Sequence, residues 1–170
     1  MMKTKENITL IGMPAVGKST VGNLLAKKIG FDFLDSDDLI QSKEKKTLSQ
    51  IIEQKGLDRF LHIEENHVVS IVCSNHVIAT GGSVVYSQKA MEHLSKTSTI
   101  IYLFIDFDTL LTRLSDTTSR GVAISPEKSI DDLYKERTPL YDRYYDIKIN
   151  CGAMTAEQVV EKVLKYLSLR

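Results

Sequence analysis

Residues 12–20 read Gly-Met-Pro-Ala-Val-Gly-Lys-Ser-Thr, directly after the apolar run Ile8-Thr9-Leu10-Ile11. A strand that runs into G-x-x-x-x-G-K-S has few ways to continue. Gly12 and Gly17 permit a tight backbone loop. A helix is expected from Lys18 to about Ile29, because Val21, Leu24, Leu25 and Ile29 recur at helical spacing. Backbone N–H groups of such a loop line an anion, and the positive end of the helix dipole favours one there. The pattern is that of a nucleoside triphosphate site, with Lys18 reaching the β- and γ-phosphates and the Ser19 hydroxyl ligating Mg²⁺. The loop alone does not separate a kinase from a GTPase, a motor or a switch.

The rest of the chain supports one α/β domain spanning residues 1–170. Strand-like runs are expected at Ile8–Gly12, Asp32–Leu34, His76–Thr80, Thr99–Ile105 and Asp146–Ile149. The fourth is continuously apolar, as in a strand buried on both faces. Helical periodicity lies between them, at about 47–55, 57–73, 86–95, 107–114, 129–142 and 155–167. Capping-box spacing marks Thr47…Gln50 and Thr155…Gln158. This alternation predicts a parallel sheet covered on both sides.

Formal net charge is zero, which favours neither nucleic acid nor a membrane surface as partner. No apolar run is long enough to span a bilayer, and the first residues lack the apolar stretch of a signal peptide. The cytoplasm is therefore the expected compartment, and nothing in the pattern points beyond a monomer. Cys73 and Cys151 have no paired spacing and are read as free thiols.

Three further segments carry chemistry. Asp35 and Asp37 follow the second apolar run, at the strand end where open α/β sheets bind ligands. One carboxylate near Mg²⁺ and one on an acceptor hydroxyl would make chemical sense, yet helix N-capping by Ser36, Asp37 or Asp38 explains the cluster equally well. Thr80-Gly81-Gly82-Ser83 ends the third strand and suits either close backbone approach to a ligand or an ordinary turn. The polar stretch 115–127, with Arg120, is long for a plain connection and reads as a mobile lid. Arg113, Arg120 and Arg137 supply the positive charge that phosphate or carboxylate recognition requires.

Taken together, the loop Gly12–Thr20, Asp35-Ser36-Asp37, Thr80-Gly81-Gly82, Arg113 with Arg120, and Arg137-Thr-Pro-Leu-Tyr141 resemble the shikimate kinase family over residues 7 to about 168. The resemblance implies a three-layer P-loop kinase fold with a five-stranded parallel sheet in the order 2-3-1-4-5. It implies ATP and Mg²⁺ as cofactors and transfer of the γ-phosphate to shikimate, giving shikimate 3-phosphate. By the same resemblance Gly12, Ala15, Val16, Gly17, Lys18, Ser19 and Thr20 hold the nucleotide, with Ser19 on the metal and Asp35 reaching it through water. Asp37 binds substrate hydroxyls and is the candidate base. Gly81 and Gly82 line the acceptor site. Arg113 packs by the adenine, Arg120 closes over the phosphates, and Arg137 holds the substrate carboxylate.

The sequence departs from the family pattern at the acceptor. Where the family has an arginine after the phenylalanine of the helix that follows the second strand, this chain has Leu61 after Phe60. Arg59 is the nearby cation that could substitute. Ser83 stands in place of a third glycine, and the lid has Gly121-Val122-Ala123 in place of Pro-Leu-Leu. Two other readings remain at this point: a kinase for another small polyol, hydroxy acid or amino acid, and a nucleotide-binding regulatory module without catalysis. A GTPase is disfavoured, because no Asn-Lys-x-Asp guanine-reading motif follows the fourth strand or occurs elsewhere.

Overall fold

The computed structural model describes residues 5–116 and 127–168. Five strands form one parallel sheet: β1 (Asn7–Ile11), β2 (Asp32–Asp35), β3 (His76–Ala79), β4 (Ser98–Phe104) and β5 (Ile147–Asn150). Their order across the sheet is β2-β3-β1-β4-β5, as the resemblance implied. β1 is central, and Ile8 pairs with Val77 on one side and Thr99 on the other. All five of its residues are buried, whereas the edge strand β5 alternates buried and exposed. That difference explains why β1 and β4 read as apolar runs and β5 as a short alternating one.

Eight helices connect or flank the strands in the described residues. They are α1 (Lys18–Ile29), α2 (Ser36–Glu44), α3 (Leu48–Lys55), α4 (Leu57–Val69), α5 (Gln88–Thr97), α6 (Phe107–Asp116), α7 (Ile130–Tyr141) and α8 (Ala156–Ser168). A short 3₁₀ helix, Gly82–Tyr86, follows β3. Helix α1 packs on α8 and α4 packs on α5, which places the two pairs on opposite faces of the sheet. Leu10, Ile11, Leu25, Ile78, Ile100, Ile101, Leu103 and Val163 belong to the main core. A satellite cluster of Ile40, Leu48, Ile51 and Phe60 joins α2, α3 and α4 to one another.

Most element expectations hold to within two residues, and both capping boxes form. Thr47 Oγ accepts from Gln50 N while the Gln50 side chain accepts from Thr47 N, and Thr155 and Gln158 do the same. Two differences have physical causes. Helix α2 is absent from the helical periodicity of the sequence because its buried residues are only Ser36 and Ile40. Helix α4 stops at Val69 rather than near 73, where the Ser70 hydroxyl turns back to His67 O and the chain enters a turn with Asn75 at φ 56°. The expected lid falls mostly outside the described residues, and so does Arg120; α6 carries the chain as far as Asp116. Among the described residues no helix is long and apolar enough to cross a membrane. Cys73 and Cys151 are free thiols.

The loop after β1 is held against β4. Gly12 has φ 148°, and a methyl group there would lie 2.5 Å from the carbonyl oxygen of Leu103. Backbone in the sheet interior cannot retreat. Gly12→Ala is therefore expected to destabilise the protein by at least about 2 kcal/mol, measured by chemical denaturation. An unchanged midpoint would contradict the packing described.

Candidate active site

The phosphate loop has the backbone its sequence requires. Gly12, Ala15 and Gly17 take φ values of 148°, 63° and 99°. Ala15 in the left-handed region is uncommon for a residue with a side chain, and such conformations concentrate at functional sites. Helix α1 then begins at Lys18 with no side-chain cap and no acidic residue in its first turn. Those features suit an anion satisfying the first N–H groups. The Lys18 ammonium is buried and folds across the loop, donating to Gly12 O at 2.7 Å and Met13 O at 2.8 Å.

Asp35 closes the distance between this loop and the next strand. Its Oδ2 accepts the Ser19 hydroxyl at 2.5 Å, and its Oδ1 accepts the Asp37 amide at 2.9 Å. The second bond makes Asp35 the N-cap of α2, so the capping residue is neither Ser36, Asp37 nor Asp38. Capping uses one oxygen of Asp35 and leaves the other on Ser19. Ser19 and Asp35 offer hard oxygen donors at one point, which fits Mg²⁺, an ion held by one or two protein oxygens plus water and phosphate. A cavity of about 800 Å³ opens beside Ser19, Asp35 and Asp37 and continues past Asn23 and Lys27.

The third strand ends next to Asp37. Thr80 anchors it by donating its hydroxyl to Leu10 O at 2.9 Å, and the Gly81 amide donates to Ser36 Oγ at 3.1 Å. At Gly81 a methyl group would come within 2.6 Å of Glu64 Oε1 and 2.7 Å of Asp37 Oδ1, so both carboxylates face the same point. At Gly82 it would come within 2.9 Å of Arg137 Nη1 and 3.0 Å of Pro14. Arg137 is fully buried; its Nε donates to the Tyr86 hydroxyl at 3.2 Å and its guanidinium lies 5.1 Å from the Tyr86 ring centre. Tyr141, one turn on in α7, donates to Gly82 O at 2.6 Å and packs on Tyr102. Asp37 beside Gly81 and Arg137 beside Gly82, four of the residues singled out from sequence, thus lie around the turn after β3, and of them Asp37 also lines the cavity.

Arg113 lies elsewhere, beside the phosphate loop. It donates to Val16 O at 3.0 Å and to Gly152 O at 3.3 Å, tying that loop to the turn after β5. Thr20 is exposed at the start of α1 and lines the cavity. Arg59 is exposed on α4, outside the buried stripe of Phe60, Glu64 and Val68. Leu61 packs against the satellite cluster.

Glu64 is a member of this group that carries no role in the sequence reading. It is 2 % exposed. Burial pushes its carboxyl up to about 7; the Ser83 hydrogen bond opposes that rise, nearby Asp37 adds to it, and Arg137 opposes it. The available signal was the spacing 60, 64, 68, which puts a carboxylate in an apolar stripe. A carboxyl titrating higher folded than unfolded binds a proton preferentially in the folded state. Its contribution is present below the unfolded value near 4.5 and is lost as pH rises towards 7. Glu64→Gln should remove that loss, gaining on the order of 3 kcal/mol over wild type between pH 5 and 8 in denaturation experiments. Parallel pH profiles for the two proteins would contradict this.

The chain is similar to known proteins over nearly its whole length. The family model described as shikimate kinase matches residues 14–168. A shikimate kinase from Thermodesulfovibrio yellowstonii is 39% identical over 163 residues, covering 94% of each chain. The crystal structure of shikimate kinase from Aquifex aeolicus superposes with a TM-score of 0.80 at 32% identity, over 95% of this chain and 96% of that one. Shikimate kinase from Acinetobacter baumannii, solved in complex with shikimate, gives a TM-score of 0.80 at 28% identity, over 98% and 94%.

Proposed function

Because the chain belongs to the shikimate kinase family, whose members are phosphotransferases with an alcohol acceptor, we propose that it transfers the γ-phosphate of ATP to a hydroxyl of shikimate. The observation that carries the reading is the pair of hydrogen bonds that Asp35 accepts, one from Ser19 at the head of α1 and one from the Asp37 amide at the start of α2. It sets a candidate base beside the phosphate loop, as in-line transfer between two bound substrates demands.

Each residue then has a task. Gly12, Ala15, Val16, Gly17 and Thr20 shape or flank the nucleotide site, and Lys18 turns from its carbonyl contacts to the phosphates. Ser19 and, through water, Asp35 hold Mg²⁺, which supplies charge neutralisation on the phosphates when bound. Asp37 orients the acceptor hydroxyl and takes its proton as the oxygen–phosphorus bond forms and the bond to ADP breaks. Gly81 and Gly82 admit the acceptor closely because side chains there would fill the pocket. Arg137 holds the acceptor carboxylate by a charge-assisted bond, braced from behind by Tyr86. Arg113 borders the adenine, Arg120 closes over the phosphates, and Arg59 is a second cation towards the acceptor carboxylate. The substrates are small molecules, and one chain carries every residue named.

The deciding experiment is coupled ADP release with shikimate, gluconate, homoserine and nucleoside monophosphates as acceptors. Shikimate should give the highest kcat/KM. A higher value for another alcohol would assign Leu61 and Ser83 to a changed specificity, and release with none would indicate a binding module.

Two substitutions test the roles. Lys18→Ala should lower kcat more than about a hundredfold with the fold retained by circular dichroism. Arg137→Ala should raise the acceptor KM about tenfold to a hundredfold while leaving ATP KM within about twofold. A selective loss of ATP affinity in the second variant would contradict the carboxylate assignment.

A further inference from the structure

Glu64 is held in an unusual way for a buried carboxylate. One helical turn before it on α4 stands Leu61, so the neighbour that helix geometry provides is apolar. Its hydrogen bond comes from another element. Ser83, in the 3₁₀ helix and itself 3 % exposed, donates its hydroxyl to Glu64 Oε2 at 2.8 Å. The second oxygen, Oε1, makes no hydrogen bond among the described residues and points to Gly81 from beside Asp37 Oδ1. Buried carboxylate oxygens are normally satisfied, and an alcohol entering beside Gly81 would bring the missing donor.

We propose that Ser83 is a positioning residue for the acceptor: by fixing Oε2 of Glu64, its hydroxyl keeps Oε1 turned towards Gly81, where Oε1 accepts a hydrogen bond from an acceptor hydroxyl. The proposal rests on the kinase reading above. A cation at position 61 would hold Glu64 through an i, i+3 pair; with leucine there, the hold comes across the pocket from the 3₁₀ helix instead. This gives the glycine-to-serine change a function rather than a mere reduction in space.

The groups facing Glu64 are Asp37 from α2, Ser83 from the 3₁₀ helix, and Arg137 and Tyr141 from α7. Ser83 and Arg137 favour the ionised carboxylate, while Asp37 and burial oppose it. Loss of the Ser83 hydroxyl therefore moves the Glu64 titration to higher pH.

The test is Ser83→Ala, with Ser83→Gly as a second variant lacking the same hydroxyl. Two readouts are taken: acceptor and ATP KM across pH, and the Glu64 carboxyl titration followed by carbon NMR on the free protein. Expected are an acceptor KM raised about tenfold, an ATP KM within about twofold, an acid limb of kcat/KM for the acceptor moved to higher pH, and the NMR titration moved the same way. An unmoved titration overturns the proposal even if KM rises, because the effect would then be steric. A moved titration with unchanged acceptor KM overturns it too, because Oε1 would not touch the acceptor. Lack of shikimate turnover by the wild-type protein would instead overturn the kinase reading, and the NMR titration would still decide whether Ser83 holds Glu64.

Discussion

The Asp35 carboxylate is the joint on which the site depends. Strand β2 delivers it to the edge of the sheet, and its two oxygens point in different directions: one to Ser19 at the head of α1, one to the backbone of α2. A hydroxyl bond and an N-cap are each worth on the order of 1 kcal/mol, so neither dominates stability. Their importance is geometric. They fix the relative placement of two helices, one leaving the phosphate loop and one carrying Asp37. A displacement of one ångström between donor and acceptor can cost a hundredfold in rate, far more than the stability such bonds supply.

Around that joint the acceptor pocket concentrates buried charge. Glu64, Asp37 and Arg137 meet around the two glycines that follow β3. Buried ionisable groups are weak contributors to net stability, since desolvation offsets much of their mutual attraction. Here Glu64 is pushed towards neutrality by burial while it accepts the Ser83 hydroxyl, and Arg137 donates to the hydroxyl of Tyr86. The cost is consistent with a pocket built to bind a polar, carboxylated molecule rather than to stabilise the fold.

Much of this was legible in the sequence because it depends on local rules. The phosphate loop combines a fixed spacing with glycines at demanding backbone angles, and the strands and capped helices follow from periodicity and caps. Asp37, Gly81, Gly82 and Arg137 could be named because each belongs to a short motif. What stayed hidden depends on long-range contact. The Ser83–Glu64 bond joins residues nineteen apart on separate elements. Helix α2 has too little apolar surface to announce itself, and the cluster of Asp35, Ser36, Asp37 and Asp38 does not by itself show which member caps the helix.

The satellite cluster of Ile40, Leu48, Ile51 and Phe60 has a consequence for cooperativity. Helices α2 and α3 bury their apolar faces on each other and on α4, apart from the main core that covers the sheet. Opening them exposes little of the sheet's interior, so α2 and α3 are expected to open at a lower free energy than the β1–β4 core. The wall that meets the acceptor can fluctuate while the nucleotide loop, pinned to Leu103, stays in register.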